Sequence, residues 1–457
     1  MLARYLSPDE YGAAMAASIA ASTASSVTTF GVGIYLVANT EISRADTCHV
    51  TCWFLVTGTV ALLGTMFLSD SLARWSGAPG LGQYLPTFVL AMSFERIVYV
   101  PERILVRHLR FGWLSFARAI GELTFTFVAV IAAAEGSGPI AIAWGSLARS
   151  VFRFVALVPA VDWRDWLEPH RLRLETFRRL IGYGMSVTSA SIATFGMRRW
   201  DNLLISRFYG PALMGAYNYA YNLADTPANA IGDQMSDVIG ASFPHVSRRR
   251  RAEALVHACT MVSLIMFPLS IGLATVAPTI VNAFFDPKWS SIEPMLMWLA
   301  ALSMARPIAN VLSAYFYASN RSSVVLWIEW ATLGGVAVAI STVGRFGITW
   351  ACAWVGIVFV LRTLAGIWMV TRLDGLRFTA FLLPMTRPLA ACLAMALGVV
   401  AARSAFAGLT PTMRLIEEIG LGAVLYGSSV LILARSDCTE IVRVARAALT
   451  TASGTAG

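Results

Sequence analysis

The stretch RFYGPALMG, residues 207–215, repeats a pattern found at the head of the chain, RYLSPDEYG at residues 4–12. Each copy sets an Arg beside an aromatic, with a Pro four residues after the Arg and a Gly eight after it. The residues are Arg4, Tyr5, Pro8 and Gly12, then Arg207, Phe208, Pro211 and Gly215. Pro8 to Pro211 is an offset of 203 residues, and on it Ala13 and Ala17 match Ala216 and Ala220. The likeness therefore runs on into the apolar segment that follows each copy. A long apolar run precedes the second copy, whereas only three residues precede the first.

Working outward, the whole chain has this character. Of 457 residues 57% are hydrophobic and 13% charged, and the mean hydropathy is +0.65. A soluble domain carries about 25% charged residues. Apolar runs near the bilayer-spanning length of about 20 residues recur from end to end, and the reading is an all-α polytopic membrane protein. The net charge of +9 sits in short clusters between apolar runs, which points to membrane orientation and away from nucleic acid. Lys288 is the only lysine. Cys48, Cys52, Cys259, Cys352, Cys392 and Cys438 show no metal-ligand spacing and read as small apolar side chains. No cleavable signal peptide is expected.

Thirteen spans are expected, over 11–37, 50–69, 81–104, 114–135, 138–161, 178–206, 210–236, 253–284, 292–318, 322–344, 347–371, 383–404 and 414–435. Alternate loops are rich in Arg: 103–110, 163–179, 247–251, Arg372 with Arg377, and the tail with Arg435, Arg443 and Arg446. The positive-inside rule places these in the cytoplasm, with the C-terminus, and residues 1–10 outside. The basic, aromatic linker 162–179 is expected along the cytoplasmic interface.

Repeats of several helices are how many transporters build two lobes. The expected organisation is an N-lobe of five helices over 1–161, the linker 162–179 and a C-lobe of six helices over 180–372. Two further helices over 383–436 and a cytoplasmic tail over 437–457 complete it. Five helices against six, and an outside residue 1, lead to the expectation that a first helix is missing ahead of Met1.

RRWDNLLISRFYGPALMGAYNYAYNLADTP (198–227), SFPHVSRRR (242–250) and FFDPKWSSIEPMLMWLAALS (284–303) carry a family resemblance, together with RYLSPDEYGAAMAA (4–17) and VPERILVRHLRF (100–111). The chain resembles the polysaccharide-transporter family, Wzx-like oligosaccharide flippases within the multidrug/oligosaccharidyl-lipid/polysaccharide exporter superfamily. The resemblance implies two six-helix lobes, often with two C-terminal helices, that move lipid-linked glycans by alternating access in the inner (plasma) membrane. It implies a polyprenyl-pyrophosphate oligosaccharide as substrate, the lipid bilayer as partner, and neighbours among polysaccharide polymerases and glycosyltransferases.

Candidate residues are polar groups at membrane depth, which cost about 2.5–3.5 kcal/mol each on insertion scales. Asn218, Asn222, Asp225, Asn229, Asp233 and Ser236 recur at steps of three and four and line one helix face. That face either lines a wet cavity or bonds neighbouring helices. Ser18, Ser22, Ser25 and Thr29 form its small-polar counterpart in the first copy. Arg149, Arg306 and Arg362 fall mid-span, with Arg153 one turn from Arg149. Given the anionic substrate that the resemblance implies, they are candidate phosphate contacts. The alternative is pairing with intramembrane acids such as Glu95, Glu122 or Glu329, and Arg118 with Glu122 has the spacing of a local pair. Arg198, Arg199 and Asp201 are expected to gate an outer end or to snorkel to the interface. Asp225 and Asp233 are candidate cation sites for an ion-coupled small-molecule exporter, the second reading. A membrane glycosyltransferase or polymerase is the third, and it would need a large extracytoplasmic loop. The chain has no phosphate-loop or metalloprotease motif, and neither a metal nor a cofactor is expected, nor an enzyme.

Overall fold

Apolar runs this long can lie in lipid only if every backbone group is bonded within the segment, which selects the helix. The computed structural model describes residues 2–38, 43–108, 110–168, 174–242, 248–319, 321–406 and 408–433, and all regular structure among them is helical. The helices gather in two units, Met1–Ala216 and Tyr217–Gly457.

The first unit holds α1 (Leu2–Tyr5), α2 (Pro8–Val27), α3 (Val32–Ala38), α4 (Arg44–Phe67), α5 (Ser69–Ser76) and α6 (Leu81–Arg107). It continues with α7 (Phe111–Ala134), α8 (Ile140–Leu157), α9 (Arg164–Leu167) and α10 (Leu174–Tyr209). The opening motif is a helix start. Ser7 caps α2 in a reciprocal box with Glu10, and Pro8 takes the first-turn place where no N–H is needed. The α6 helix packs against α2, α3, α4 and α8, while α10 packs on α2 and α4.

The expected first span 11–37 is interrupted. It ends as a helix at Val27, turns through Phe30 at φ 44° and Gly31 at φ 65°, and resumes as the short α3. The hydroxyls of Ser22, Thr23 and Thr28 bond back to the carbonyls of Ser18, Ile19 and Ala24. Such back-bonding competes with the helix ladder and loosens it.

The second unit contains most of α11 (Pro211–Ser242), then α12 (Arg248–Phe284), α13 (Ile292–Ser303), α14 (Ala305–Ala318) and α15 (Ser322–Thr342). After these come α16 (Ile348–Asp374), α17 (Phe378–Ala402) and α18 (Pro411–Leu433). The α12 helix packs against α13, α14, α17 and α18 and forms the centre of this unit. Cys259, Met266, Leu312, Phe316, Phe381 and Cys392 belong to one of its buried clusters. The expected span 292–318 breaks at Met304. Pro307 has no N–H to return to Ser303, which leaves a ladder bond unmade at the break, and beside it the Thr363 hydroxyl donates to the carbonyl of Ala305 at 2.9 Å. Small residues let helices close in: a Cβ on Gly366 would meet Leu312 at 3.0 Å, and one on Gly145 would meet Ala129 at 2.9 Å.

Among the described residues, nine helices are long and apolar enough to cross a membrane. Their outward faces stay apolar, with Phe127 and Ile131 on α7 and Ile416, Val424 and Ile432 on α18 all exposed. Water would not tolerate such faces, whereas lipid does. Of the linker expected at 162–179, Trp163 is exposed while Trp166 is buried beside Val50 and Ile104. Residues 169–173 lie outside the described residues.

Candidate functional site

The polar face of α11 begins in a closely packed aromatic setting. Tyr219 lies edge-on to Trp289 at 4.9 Å, and Tyr217 packs on Tyr221 at 5.8 Å. One turn on from Tyr217 and Tyr221, the face becomes ionic. Asp225 accepts from Nη1 of Arg306 on α14 at 2.5 Å. The Arg306 guanidinium lies between two rings, 4.4 Å from that of Tyr221 and 4.2 Å from that of Phe359 on α16. Such stacking suits a flat, weakly hydrated cation. Both partners are shielded, with side chains 6% and 14% exposed. Two residues chosen separately from the sequence are therefore a single neutral pair. Asn218 is buried and accepts from Nδ2 of Asn222, one turn along the same helix, at 2.9 Å. The side chains of Asn229, Asp233 and Ser236 lie outside the described residues.

Arg362 on α16 pairs with Glu329 on α15 at 2.5 Å, and both side chains are buried. Nε of Arg362 and Oε2 of Glu329 make no hydrogen bond although both are shut off from solvent.

In the first unit, α6, α7 and α8 build a charge cluster. Arg153 on α8 bridges two carboxylates of α6, donating to Glu95 at 2.5 Å and also to Glu102. Ser150 donates to Glu95 at 2.9 Å. Arg118 reaches Glu102 at 3.7 Å, and Arg149 reaches Glu122 at 3.6 Å. Arg118 and Glu122 therefore do not pair with each other, as their spacing suggested; each faces a neighbouring helix. Gly121 makes this possible, since a Cβ there would collide with the stem of Arg153. All four candidate arginines are thus held by carboxylates, as the second of the two sequence readings allowed.

The sequence reading passed over Arg96, which shares the span 81–104 with Glu95. Arg96 is 2% exposed and has no carboxylate partner among the described residues. Nη1 donates to Ser25 O at 2.8 Å, Ser25 Oγ at 3.2 Å and Thr28 Oγ1 at 3.0 Å, and Nη2 donates to Thr28 O at 3.2 Å and to Phe54 O. The guanidinium lies 3.9 Å from the Phe54 ring centroid and fills the place where Gly58 has no side chain. It collects carbonyls at the end of α2, where the helix dipole is negative and the ladder leaves acceptors free. The small-polar face of α2 is occupied in this way. The same depth-of-charge criterion that singled out Arg149 would have found Arg96.

Toward the C-terminal end of α10, Asp201 is 1% exposed and accepts from the backbone N–H and side-chain amide of Asn202, while Arg199 is exposed. Asp201 is a packed polar residue, whereas Arg199 lies on the surface. Trp200 donates to Thr23 on α2 at 3.1 Å.

Apolar outer faces, helices throughout the described residues and ion pairs between those helices define a polytopic helical membrane protein. The family model described as "Polysaccharide biosynthesis protein" matches residues 1–294, and the chain belongs to that family. It is 26% identical over 460 residues to the succinoglycan biosynthesis transport protein ExoT of Rhizobium meliloti (strain 1021), covering 98% of this chain and 91% of that one. Among solved structures the fold is similar to lipid II flippase MurJ in an inward closed conformation. The TM-score is 0.79 at 14% identity, over 94% of each chain. It is also similar to an inward-facing multidrug resistance MATE family transporter of the MOP superfamily. There the TM-score is 0.61 at 16% identity, over 86% of this chain and 93% of that one.

Proposed function

We propose that the protein is a flippase for lipid-linked oligosaccharide in polysaccharide biosynthesis, a non-enzymatic transporter working by alternating access. The observation that carries this reading is the buried Asp225–Arg306 pair within a flippase-like fold. A guanidinium neutralised by one carboxylate can exchange it for a substrate phosphate, which accepts the same forked contacts. The released Asp225 then needs a proton or a cation, so anion binding and ion coupling meet at one pair. Arg362–Glu329 is built to the same plan, whereas Arg149 faces a largely exposed Glu122 at 3.6 Å, and Arg153 is shared by two acids. Asn218, Asn222, Asn229 and Asp233 complete the polar face in this reading.

The two-lobe organisation over 1–161 and 180–372, with 383–436 appended, belongs to the same proposal. So do the inner membrane, the cytoplasmic C-terminus and cooperation with a polymerase and glycosyltransferases. The ion-coupled small-molecule exporter is the alternative, and likeness to the multidrug transporter supports it; the greater likeness to the lipid II flippase favours a lipid-linked glycan. Deletion of the gene decides between them. Lipid-linked oligosaccharide should accumulate on the cytoplasmic face, and the intact gene should relieve it. Drug sensitivity with normal surface polymer would instead support the exporter.

A further inference from the structure

Among the described residues, three arginines of α6 remain outside every ion pair. Arg96, Arg103 and Arg107 are spaced by seven and four residues and share one stripe of the helix. The stripe runs about 16 Å from membrane depth to the end of α6 at Arg107, at 1.5 Å per residue. Among the described residues neither Arg103 nor Arg107 makes a hydrogen bond or meets a carboxylate, and Glu102, just before Arg103, is taken by Arg153 and Arg118. Nε of Arg96, Nε of Arg103, and Nε and Nη1 of Arg107 are all shut off from solvent with no acceptor. The Arg103 guanidinium rests 4.7 Å from the Tyr99 ring centroid, and both side chains use the space left by Gly33 on α3.

Positive-inside anchoring explains basic residues at a helix end, but an anchor snorkels and hydrates its donors. Arg110, three residues past Arg107, behaves in that way: it is exposed and caps the carbonyl of Ala160 at 3.1 Å. Arg103 and Arg107 keep buried donors idle, which is the state of a site whose acceptor arrives with a ligand.

We infer that Arg96, Arg103 and Arg107 form a phosphate-binding ladder along α6. Arg103 and Arg107, one turn apart, each take one phosphoryl group of a diphosphate through their free N–H groups. Arg96, fixed by carbonyls, supplies positive charge deeper along the stripe. The ligand is a phosphate ester carried on a lipid: either the diphosphate of a polyprenyl carrier, in which case the inference rests on the flippase reading, or the headgroup of an anionic phospholipid.

The test uses the purified full-length protein in phosphatidylcholine nanodiscs, titrated with polyprenyl diphosphate, polyprenyl alcohol and phosphatidylglycerol. For R103Q/R107Q we expect at least a tenfold loss of diphosphate affinity, unchanged binding of the alcohol and an unchanged melting temperature. R103K/R107K should recover most of the affinity, because it restores the charge if not the fork. A loss confined to phosphatidylglycerol supports the ladder and makes the bilayer its source of phosphate. Equal binding of both phosphate lipids by the wild type and the folded glutamine variant overturns the ladder, as does a wild type that binds neither. These measurements do not depend on flipping. A wild type that binds diphosphate through these arginines, yet whose gene does not relieve glycan-lipid accumulation, would sink the flippase reading and leave the ladder standing.

Discussion

Gly12 lies against the carbonyl of Pro211 so closely that a Cβ on the glycine would overlap it, and the relationship is returned. A Cβ on Gly215 would stand 2.5 Å from the carbonyl oxygen of Pro8. Pro8 and Gly12 are the first copy of the repeated motif and Pro211 and Gly215 the second, so the two copies bind each other across a local twofold. Such a reciprocal contact is what two related surfaces make when they meet about a symmetry axis. Gly12→Ala or Gly215→Ala should each cost about 1–3 kcal/mol through overpacking. The double variant should cost less than the sum of the two, because either methyl already parts the helices. Melting temperatures of the single and double variants in detergent check this.

The Asp225–Arg306 pair should respond asymmetrically. Asp225→Asn or Arg306→Gln alone leaves a buried charge without its partner, at a cost of about 3–5 kcal/mol. The double D225N/R306Q should recover much of that stability yet fail to restore surface polysaccharide. Melting and polymer yield measured side by side separate the two effects, and restored polymer in the double variant would remove the pair from the mechanism.

Arg96→Gln should free the carbonyls of Ser25, Thr28 and Phe54. With about 1–3 kcal/mol for a buried group left unsatisfied, the break between α2 and α3 should loosen first. Hydrogen exchange over residues 22–36 is expected to rise well before that of α7 or α8.

Glu418 on α18 is fully buried, and it accepts from Thr279 on α12 at 2.7 Å, from Arg403 at 3.3 Å and from Arg414 at 3.1 Å. Glu418→Gln strands two arginines and should lower the melting temperature by several degrees. Proteolysis of the Arg403–Thr410 connection should speed up, whereas cleavage around Asp165 should not change.

Hydropathy made the helices legible, because spanning length and lipid exposure are properties of a single segment. It missed the break after Val27, since Ser and Thr hydroxyls can end a helix without an apolar run looking shorter. It missed the break at Met304, where Pro307 was the visible cue. Charges at depth were legible as residues but not as pairs. Arg306 finds Asp225 across 81 positions and Arg362 finds Glu329 across 33, and nothing local records such a choice. Arg118 and Glu122 show the opposite error, because i, i+4 spacing permits a contact that partners on neighbouring helices then claim. The repeat was visible as a pattern, but that its copies pack on each other follows only from the fold.

Arginine pairing also decides what a membrane voltage can act on. A charge crossing the bilayer field does work of about 2.3 kcal/mol per 100 mV, whereas a matched pair moving as one unit does almost none. Arg149, Arg306 and Arg362 each travel with a carboxylate, and Arg153 with more negative charge than its own. Arg96, held only by neutral oxygens, is a net elementary charge carried by α6. Arg103 and Arg107 extend that unmatched charge toward the end of α6. Any rearrangement that carries α6 along the bilayer normal therefore moves current, and the resting potential of the cell becomes a force applied along this helix.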